Sequence, residues 1–263
     1  MLENSCKSSA LKQFKKNIGK CIALTTLIFA SFLTLPMIYI LCETLSNKFL
    51  TNYLFLGGST NSILSLFIAV LCYFFVLAPM FLEIKKWFLL MTAGRPPIYR
   101  ALQTFKQPKR LAKSIWYCVT KSAIIITAFS VLFLSQFAFF LNLKTFMNSP
   151  QGSGNPIFKI IYGAILIYFI IASLFFLYFL VLIFFADYIY FYNKNLSALK
   201  AMRISIQVAR NEYRKIVAVI ANMLPYMLSC FLVIPAVFAV PYIKAYFARY
   251  ALEQLRYYKL INL

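Results

Sequence analysis

The sequence contains no histidine and only six acidic residues, so several kinds of catalytic and metal site are excluded. Without histidine, neither imidazole acid–base catalysis nor imidazole metal ligation is available. The acids are Glu3, Glu43, Glu83, Asp187, Glu212 and Glu253, and none lies near the middle of a predicted span. Intramembrane metalloprotease chemistry, paired-aspartate protease chemistry and a carboxylate proton relay therefore lack their residues. We expect no catalytic residue, no cofactor and no metal ion, and a protein that is not an enzyme.

Common motifs for nucleophiles, phosphates and reactive thiols are missing too. Gly152-Ser153-Gly154 lacks the GxSxG spacing of a nucleophile elbow, and no GxxxxGK[ST] phosphate loop occurs. The six cysteines show no CxxC spacing and mostly fall in or beside apolar runs, which is typical of structural thiols. A disulfide between Cys42 and Cys230 is left open, because both could approach the outer face of a membrane.

Charged residues of either sign are scarce in this chain of 263 residues. They make up 13% of it, whereas 62% is hydrophobic and the mean hydropathy is +0.78. A soluble domain carries about 25% charged residues, so that class is excluded. The 28 Phe and 18 Tyr exclude intrinsic disorder, because disordered chains have few aromatic residues. This composition predicts an all-α polytopic transmembrane helical bundle.

The apolar runs predict five to six membrane segments in a single integral membrane domain, residues 1–263. A helix needs about 20 apolar residues to cross about 30 Å of hydrocarbon. The predicted spans are about 22–41, 63–82, 122–143, 160–186, 216–234 and 236–252. The last two depend on an uncharged run between Lys215 and Lys244, which Pro225, Pro235 and Pro241 interrupt. One tilted, kinked span or two shorter helices folded back near Pro235 would fit it.

The 27 basic residues against 6 acids indicate how the spans are oriented. Positive side chains concentrate on the cytoplasmic side of membrane proteins. With a cytoplasmic N-terminus and six segments, 24 of the 27 basic residues lie inside, whereas an external C-terminus leaves only 20 there. The distribution therefore favours a multi-pass cell-membrane protein with both ends in the cytoplasm. Trp87 and Trp116 then fall near the cytoplasmic interface, as tryptophan often does.

The predicted inner loops form basic amphipathic elbows. After Asn195, helical spacing gives an apolar stripe and, beside it, a basic stripe, which indicates an interfacial helix. The apolar stripe is Leu199, Met202, Ile206, Ala209 and Tyr213, and the basic stripe includes Lys200, Arg203, Arg210 and Arg214. The other elbow carries Arg100, Lys109 and Arg110 and is broken by Pro108. These basic residues and Asp187 are the candidate contacts for lipid or a partner, because each Lys or Arg near an anionic leaflet adds about 1 kcal/mol of attraction.

Asp187 differs from the other acids because it lies in an otherwise uncharged run from Ile160 to Asn193. We interpret it as a helix-end carboxylate paired with a cation such as Arg203 or Arg210, in preference to a transport role. Gln136 and Asn222 are the amides deepest in the predicted spans. Contacts between helices account for them better than substrate ligation does.

The C-terminal third also resembles a known family. Its pattern is Ala186-Asp187, Leu196-Ser197-Ala198-Leu199-Lys200-Ala201, Ser205, a basic turn from Arg210 to Lys215, and Pro241-Tyr242 with Ala245, Ala248 and Tyr250. This resembles an uncharacterised bacterial family of integral membrane proteins, catalogued as domain of unknown function 975. The rest of the chain resembles that family only in its arrangement of spans. The resemblance implies location and topology but no activity, because the family has no established one.

Two functions remain open from the sequence. The leading hypothesis is an accessory or scaffold protein of the cytoplasmic membrane, whose basic inner face contacts anionic lipid or a membrane protein partner. The alternative is a small permease or lipid-handling transporter, for which the proline-interrupted helices are typical. Nucleic acid is not an expected partner, since no base-reading fold is indicated.

Overall fold

A computed structural model describes residues 2–53, 66–93, 97–147, 156–192, 196–230 and 233–258. These residues are helical apart from short turns, and no strand occurs among them. The helices are α1 Leu2–Lys16, α2 Ile18–Tyr53, α3 66–72, α4 Ala78–Ala93, α5 Pro108–Met147, α6 Pro156–Leu182, α7 Ala186–Tyr192, α8 Ala198–Ser229 and α9 Val233–Tyr257. A π-helical turn, Tyr73–Leu77, joins α3 to α4, and a 3₁₀ helix, Ile98–Lys106, precedes α5.

Three helical stretches of the described residues are long and apolar enough to cross a membrane. They are Leu66–Thr92, Pro108–Phe133 and Gly163–Tyr192, and a shorter apolar stretch covers Ile18–Ser31. The three stretches overlap the predicted spans 63–82, 122–143 and 160–186, so the all-helical membrane class is supported. They do not include the last predicted pair, and the count of five to six segments stays a prediction.

The uncharged run near the C-terminus forms two helices. α8 ends at Ser229 and α9 begins at Val233. The pair is antiparallel, because the Tyr226 and Tyr242 rings lie 5.1 Å apart and the Tyr258 hydroxyl donates to Glu212 Oε1 at 3.2 Å. The two-helix alternative is therefore the observed one, and its turn falls just before Pro235.

The amphipathic segment after Asn195 is not a separate interfacial helix. It continues without a break into the predicted span 216–234, because no proline or glycine interrupts α8 before Pro225. Its buried side faces α6, α7 and α9. Within the predicted apolar stripe, Met202 and Ala209 are buried and Leu199 is 61% exposed.

Two prolines account for the start of α5 and for the π-helical turn before α4. Pro108, which we expected to break an elbow, is the first residue of α5, where a missing N–H costs nothing. Pro79 has no N–H to donate to the carbonyl of Phe75, so the regular hydrogen-bond ladder is interrupted where the π-helical turn lies.

The helix α9 lies at the centre of the bundle. It packs against α1, α2, α4, α7 and α8. Its side chains Ala245, Ala248 and Ala251 are fully buried, as is Tyr246. Small residues let helix backbones approach closely, which is the usual means of association between helices in a lipid environment.

Candidate functional site

The carboxylate of Asp187 is buried and binds three side chains from two other helices. Asp187 lies at the start of α7, and its Oδ2 is 2.5 Å from Lys85 Nζ of α4. Its Oδ1 lies 2.5 Å from Lys121 Nζ and accepts a 2.8 Å hydrogen bond from the Tyr117 hydroxyl, both on α5. We call these four residues the Asp187 cluster. It joins α4, α5 and α7.

The predicted partners of Asp187, Arg203 and Arg210, are wrong. Both arginines lie on the exposed face of α8, while the face that packs on α7 carries small buried residues such as Ala201. The Asp187 carboxylate instead meets Lys85 and Lys121, which the sequence suggested only as topology signals. One signal for part of this cluster was present: Tyr117 and Lys121 are four residues apart, so they share one face of a helix.

Ser205 of α8 fixes the break that brings Asp187 into place. The helix α6 ends at Leu182 and α7 begins at Ala186, which leaves backbone groups without helical partners. The Ser205 hydroxyl donates to the Leu182 carbonyl at 2.8 Å and accepts from the Phe185 N–H at 3.1 Å. The Ser205 hydroxyl therefore supplies a hydrogen-bond partner to one backbone group on each side of the turn.

We expect Ser205→Ala to lower the free energy of unfolding by about 1–3 kcal/mol, because two buried backbone groups lose their partner. Thermal unfolding of the detergent-solubilised protein measures this effect. The matched control is Ser173→Ala: Ser173 is exposed and donates only to the Phe169 carbonyl of its own helix, at 2.7 Å. Equal unfolding temperatures for the two variants would contradict the role given to Ser205.

Aromatic rings lie on one side of the Asp187 cluster. The Tyr117 ring stacks on Tyr190 with centroids 4.0 Å apart and planes at 17°. Lys85 Nζ lies 5.9 Å from the centroid of the Tyr188 ring. Phe185, next to the α6–α7 turn, stacks on Tyr250 of α9. The carboxylate of Asp187 is thus buried at 4% exposure, while the lysine side chains are 40% and 22% exposed.

A cavity of about 290 Å³ opens beside the Asp187 cluster. The charged groups that line it are Lys85, Lys121 and Asp187 together with Lys244 of α9. It therefore exposes three ammonium groups against one carboxylate. Such a cavity can hold an anionic group by charge and hydrogen bonds from lysine.

The predicted basic contacts are exposed wherever their side chains are described. Lys200, Arg203, Arg210 and Arg214 lie on the exposed face of α8, and Lys109 and Arg110 are exposed at the start of α5. The side chain of Arg100 lies outside the described part of the structure. Asp187, the eighth predicted contact residue, is buried away from this surface.

The starts of α5 and α8 are neighbours. A cavity of about 460 Å³ is lined by Lys113 and Trp116 of α5 and by Leu196, Ser197 and Ala198 where α8 begins. Ser197 caps α8, its hydroxyl accepting from the Lys200 N–H at 3.4 Å. The starts of α5 and α8, which are far apart in the sequence, thus lie close together in the fold. The exposed basic residues of these two helices are here named the basic rows: Lys109 and Arg110 on α5, and Lys200, Arg203, Arg210 and Arg214 on α8.

Glu212 forms an ion pair with Lys215, the basic residue that follows Arg214 on α8. Its Oε2 lies 2.8 Å from Lys215 Nζ. The hydrogen bond to Glu212 raises the pKa of Lys215 above its ordinary value. Lys215 therefore differs from Arg203, Arg210 and Arg214, for which the structure gives no carboxylate partner among the described residues.

The other sequence candidates are placed as follows. Cys230 is a free thiol whose Sγ donates to the Tyr226 carbonyl at 3.2 Å, and the side chain of Cys42, its predicted candidate partner, lies outside the described residues. Asn222 lies on the exposed side of α8, and the Gln136 side chain lies outside the described residues. Within the described ranges, no three Cys, Asp or Glu side chains cluster as metal ligands.

No protein-family model matches the chain, and neither the curated proteins nor the solved structures contain a match.

Proposed function

We propose that this is a multi-pass cell-membrane protein with an accessory or scaffold role, whose basic rows bind anionic lipid headgroups at the cytoplasmic face. The proposal includes six membrane segments and a cytoplasmic N-terminus. The observation that carries it is the meeting of two exposed basic segments, at the starts of α5 and α8, at one end of the bundle.

Exposed apolar side chains accompany the basic rows. Leu199 lies beside Lys200, and Leu102 and Trp116 are exposed on either side of the α5 start. Basic groups next to apolar and tryptophan side chains are typical of the membrane–water boundary, where ammonium and guanidinium groups reach the headgroups. The combination supports lipid contact better than contact with a soluble acidic protein.

Charge reversal tests this assignment. We expect the triple variant Arg203→Glu, Arg210→Glu, Arg214→Glu to weaken binding of phosphatidylglycerol by roughly a hundredfold, since each basic residue contributes about 1 kcal/mol. Native mass spectrometry of the detergent-solubilised protein, titrated with phosphatidylglycerol or with phosphatidylcholine of the same acyl chains, measures the change.

The matched control reverses three exposed lysines of α1: Lys12→Glu, Lys15→Glu, Lys16→Glu. It alters the net charge by the same amount at another place. Equal losses in both triples would show that net charge, rather than the basic rows, attracts the lipid. Unchanged binding in the arginine triple, or a protein partner bound in fixed proportion to these arginines, would overturn the lipid assignment.

A small permease or lipid-handling transporter is the second candidate function. The specific observation in its favour is the cavity beside the Asp187 cluster, which opens between α4, α5 and α9 and is lined by three lysines and one aspartate. Under this alternative, lipid or solute transfer in proteoliposomes would depend on the residues that line the cavity and would survive reversal of the three arginines.

A further inference from the structure

Two cavities that open at the surface of the bundle adjoin each other. The first is the cavity of about 290 Å³ beside the Asp187 cluster, and the second has a volume of about 770 Å³. Both are lined by Tyr73, Ser122 and Ile125, so these three residues lie at their common border. Tyr73 belongs to the π-helical turn, a local irregularity often found at functional sites.

The smaller cavity is polar and positively charged. Asp187 accepts from Lys85 and Lys121, and its carboxylate supplies one negative charge for both. Lys244, half-buried on α9, has no carboxylate within ion-pair distance among the described residues. Two of the three lysine charges are therefore not neutralised by the residues that line the cavity, and a bound anion would compensate them.

The larger cavity is apolar. It is lined by Pro36 and Tyr39 of α2, by Ala69 and Val70 of α3, and by Ile126 of α5. Its volume falls within the range of small-molecule sites, and it is an open groove, because Val70 and Ile126 are exposed. Along α5, Lys121 lines the smaller cavity, Ser122 and Ile125 line both cavities, and Ile126 lines the larger one. The lining therefore changes from cationic to apolar within about two helical turns.

We propose that the two cavities form one binding site for a single-chain amphiphile with an anionic phosphate or carboxylate headgroup. The headgroup binds Lys244, Lys85 and Lys121, and the hydrocarbon chain occupies the apolar cavity. This site is separate from the basic rows, because Lys200, Arg203, Arg210 and Arg214 line neither cavity. It identifies the class of ligand that the bundle holds, whichever function the basic rows perform.

Three probes distinguish the parts of this ligand. Dodecyl phosphate carries an anionic head and a chain, dodecylphosphocholine has the same chain on a zwitterionic head, and inorganic phosphate has no chain. In native mass spectrometry of the full chain, we expect one dodecyl phosphate per protein at concentrations where neither other probe is retained. Binding of inorganic phosphate with equal affinity would restrict the site to the headgroup and overturn the amphiphile proposal.

Two substitutions test the two ends of the site. Lys244→Gln removes the cation that no described carboxylate neutralises and leaves the Asp187 cluster intact, so we expect an affinity for dodecyl phosphate about tenfold lower. Ala69→Phe fills part of the apolar cavity and should lower the same affinity while leaving the unfolding temperature close to that of the parent protein.

The chain-length dependence of alkyl phosphate binding tests the apolar cavity without a substitution, because each buried methylene should raise affinity about fourfold.

The matched control is Lys200→Gln, which removes one exposed lysine from the basic rows. We expect it to leave dodecyl phosphate binding unchanged. Equal losses in Lys244→Gln and Lys200→Gln, or no loss in Lys244→Gln, would overturn the proposal. Because the arginine triple tests the basic rows alone, failure of this site and failure of the surface assignment give different results.

Discussion

Asp187→Asn should lower the free energy of unfolding by about 3 kcal/mol, because it leaves two ammonium groups side by side without their counter-ion. Removing one partner of a buried ion pair costs about 3–5 kcal/mol. The lower end applies here because the Lys85 and Lys121 side chains are 40% and 22% exposed, while that of Asp187 is 4% exposed. The amide preserves the shape of the side chain, so the loss measures charge rather than packing. In a chain of this length we expect an unfolding midpoint lower by about 6–12 °C.

The control is Glu253→Gln, which also removes the acid of an ion pair. Its partner Arg249 lies four residues away on α9, at 2.7 Å. Pairs of this kind within one helix contribute less than about 1 kcal/mol. Both variants are compared by thermal unfolding in the same detergent.

A rescue experiment separates charge from other effects of the substitution. Asp187→Asn combined with Lys85→Met and Lys121→Met removes the cations as well as the anion, and it should recover part of the lost stability. No fall in the midpoint for Asp187→Asn alone, or no recovery in the triple variant, would show that the Asp187 cluster does not hold α4, α5 and α7 together.

The approximate positions of three apolar spans could be predicted because length and absence of charge decide them. Residues 63–82, 122–143 and 160–186 all overlap stretches that are long and apolar enough to cross a membrane. Their ends were less predictable. The helix from Gly163 breaks after Leu182 without any proline or glycine nearby, because Ser205, more than twenty residues away in sequence, supplies the missing hydrogen bonds.

The Asp187 cluster could not be predicted, for a different physical reason. The positive-inside rule places Lys85 and Lys121 near the cytoplasmic boundary, but it does not state whether a lysine points to headgroups or into the bundle. A carboxylate isolated in an apolar run requires a cation. The sequence suggested Arg203 and Arg210, which follow Asp187 in the chain, whereas helix packing brought lysines that are 66 and 102 residues away.

The two tryptophans show the same limit of the sequence. Both are expected near the cytoplasmic interface, and that expectation does not distinguish a buried ring from an exposed one: Trp87 is 1% exposed and Trp116 is 72% exposed. Trp87 lies on α4, where its ring packs edge-on against Phe88. Its Nε1 donates to the Pro97 carbonyl at 3.3 Å, just before the 3₁₀ helix that leads into α5. Trp87 therefore fixes the connection from α4 to one of the two basic segments.

Trp87→Ala should cost about 3–5 kcal/mol of unfolding free energy, because it empties a buried site and removes the hydrogen bond to Pro97. Trp116→Ala is the matched control: it deletes the same side chain from an exposed position and should change stability by less than about 0.5 kcal/mol. The fraction of each variant that remains monodisperse by size exclusion after heating measures the difference without relying on tryptophan fluorescence. If both alanine variants behave alike, Trp87 does not support the α4–α5 connection. If Trp87→Ala alone is destabilised, the basic segment at the start of α5 depends on a buried aromatic anchor that charge and hydropathy do not reveal.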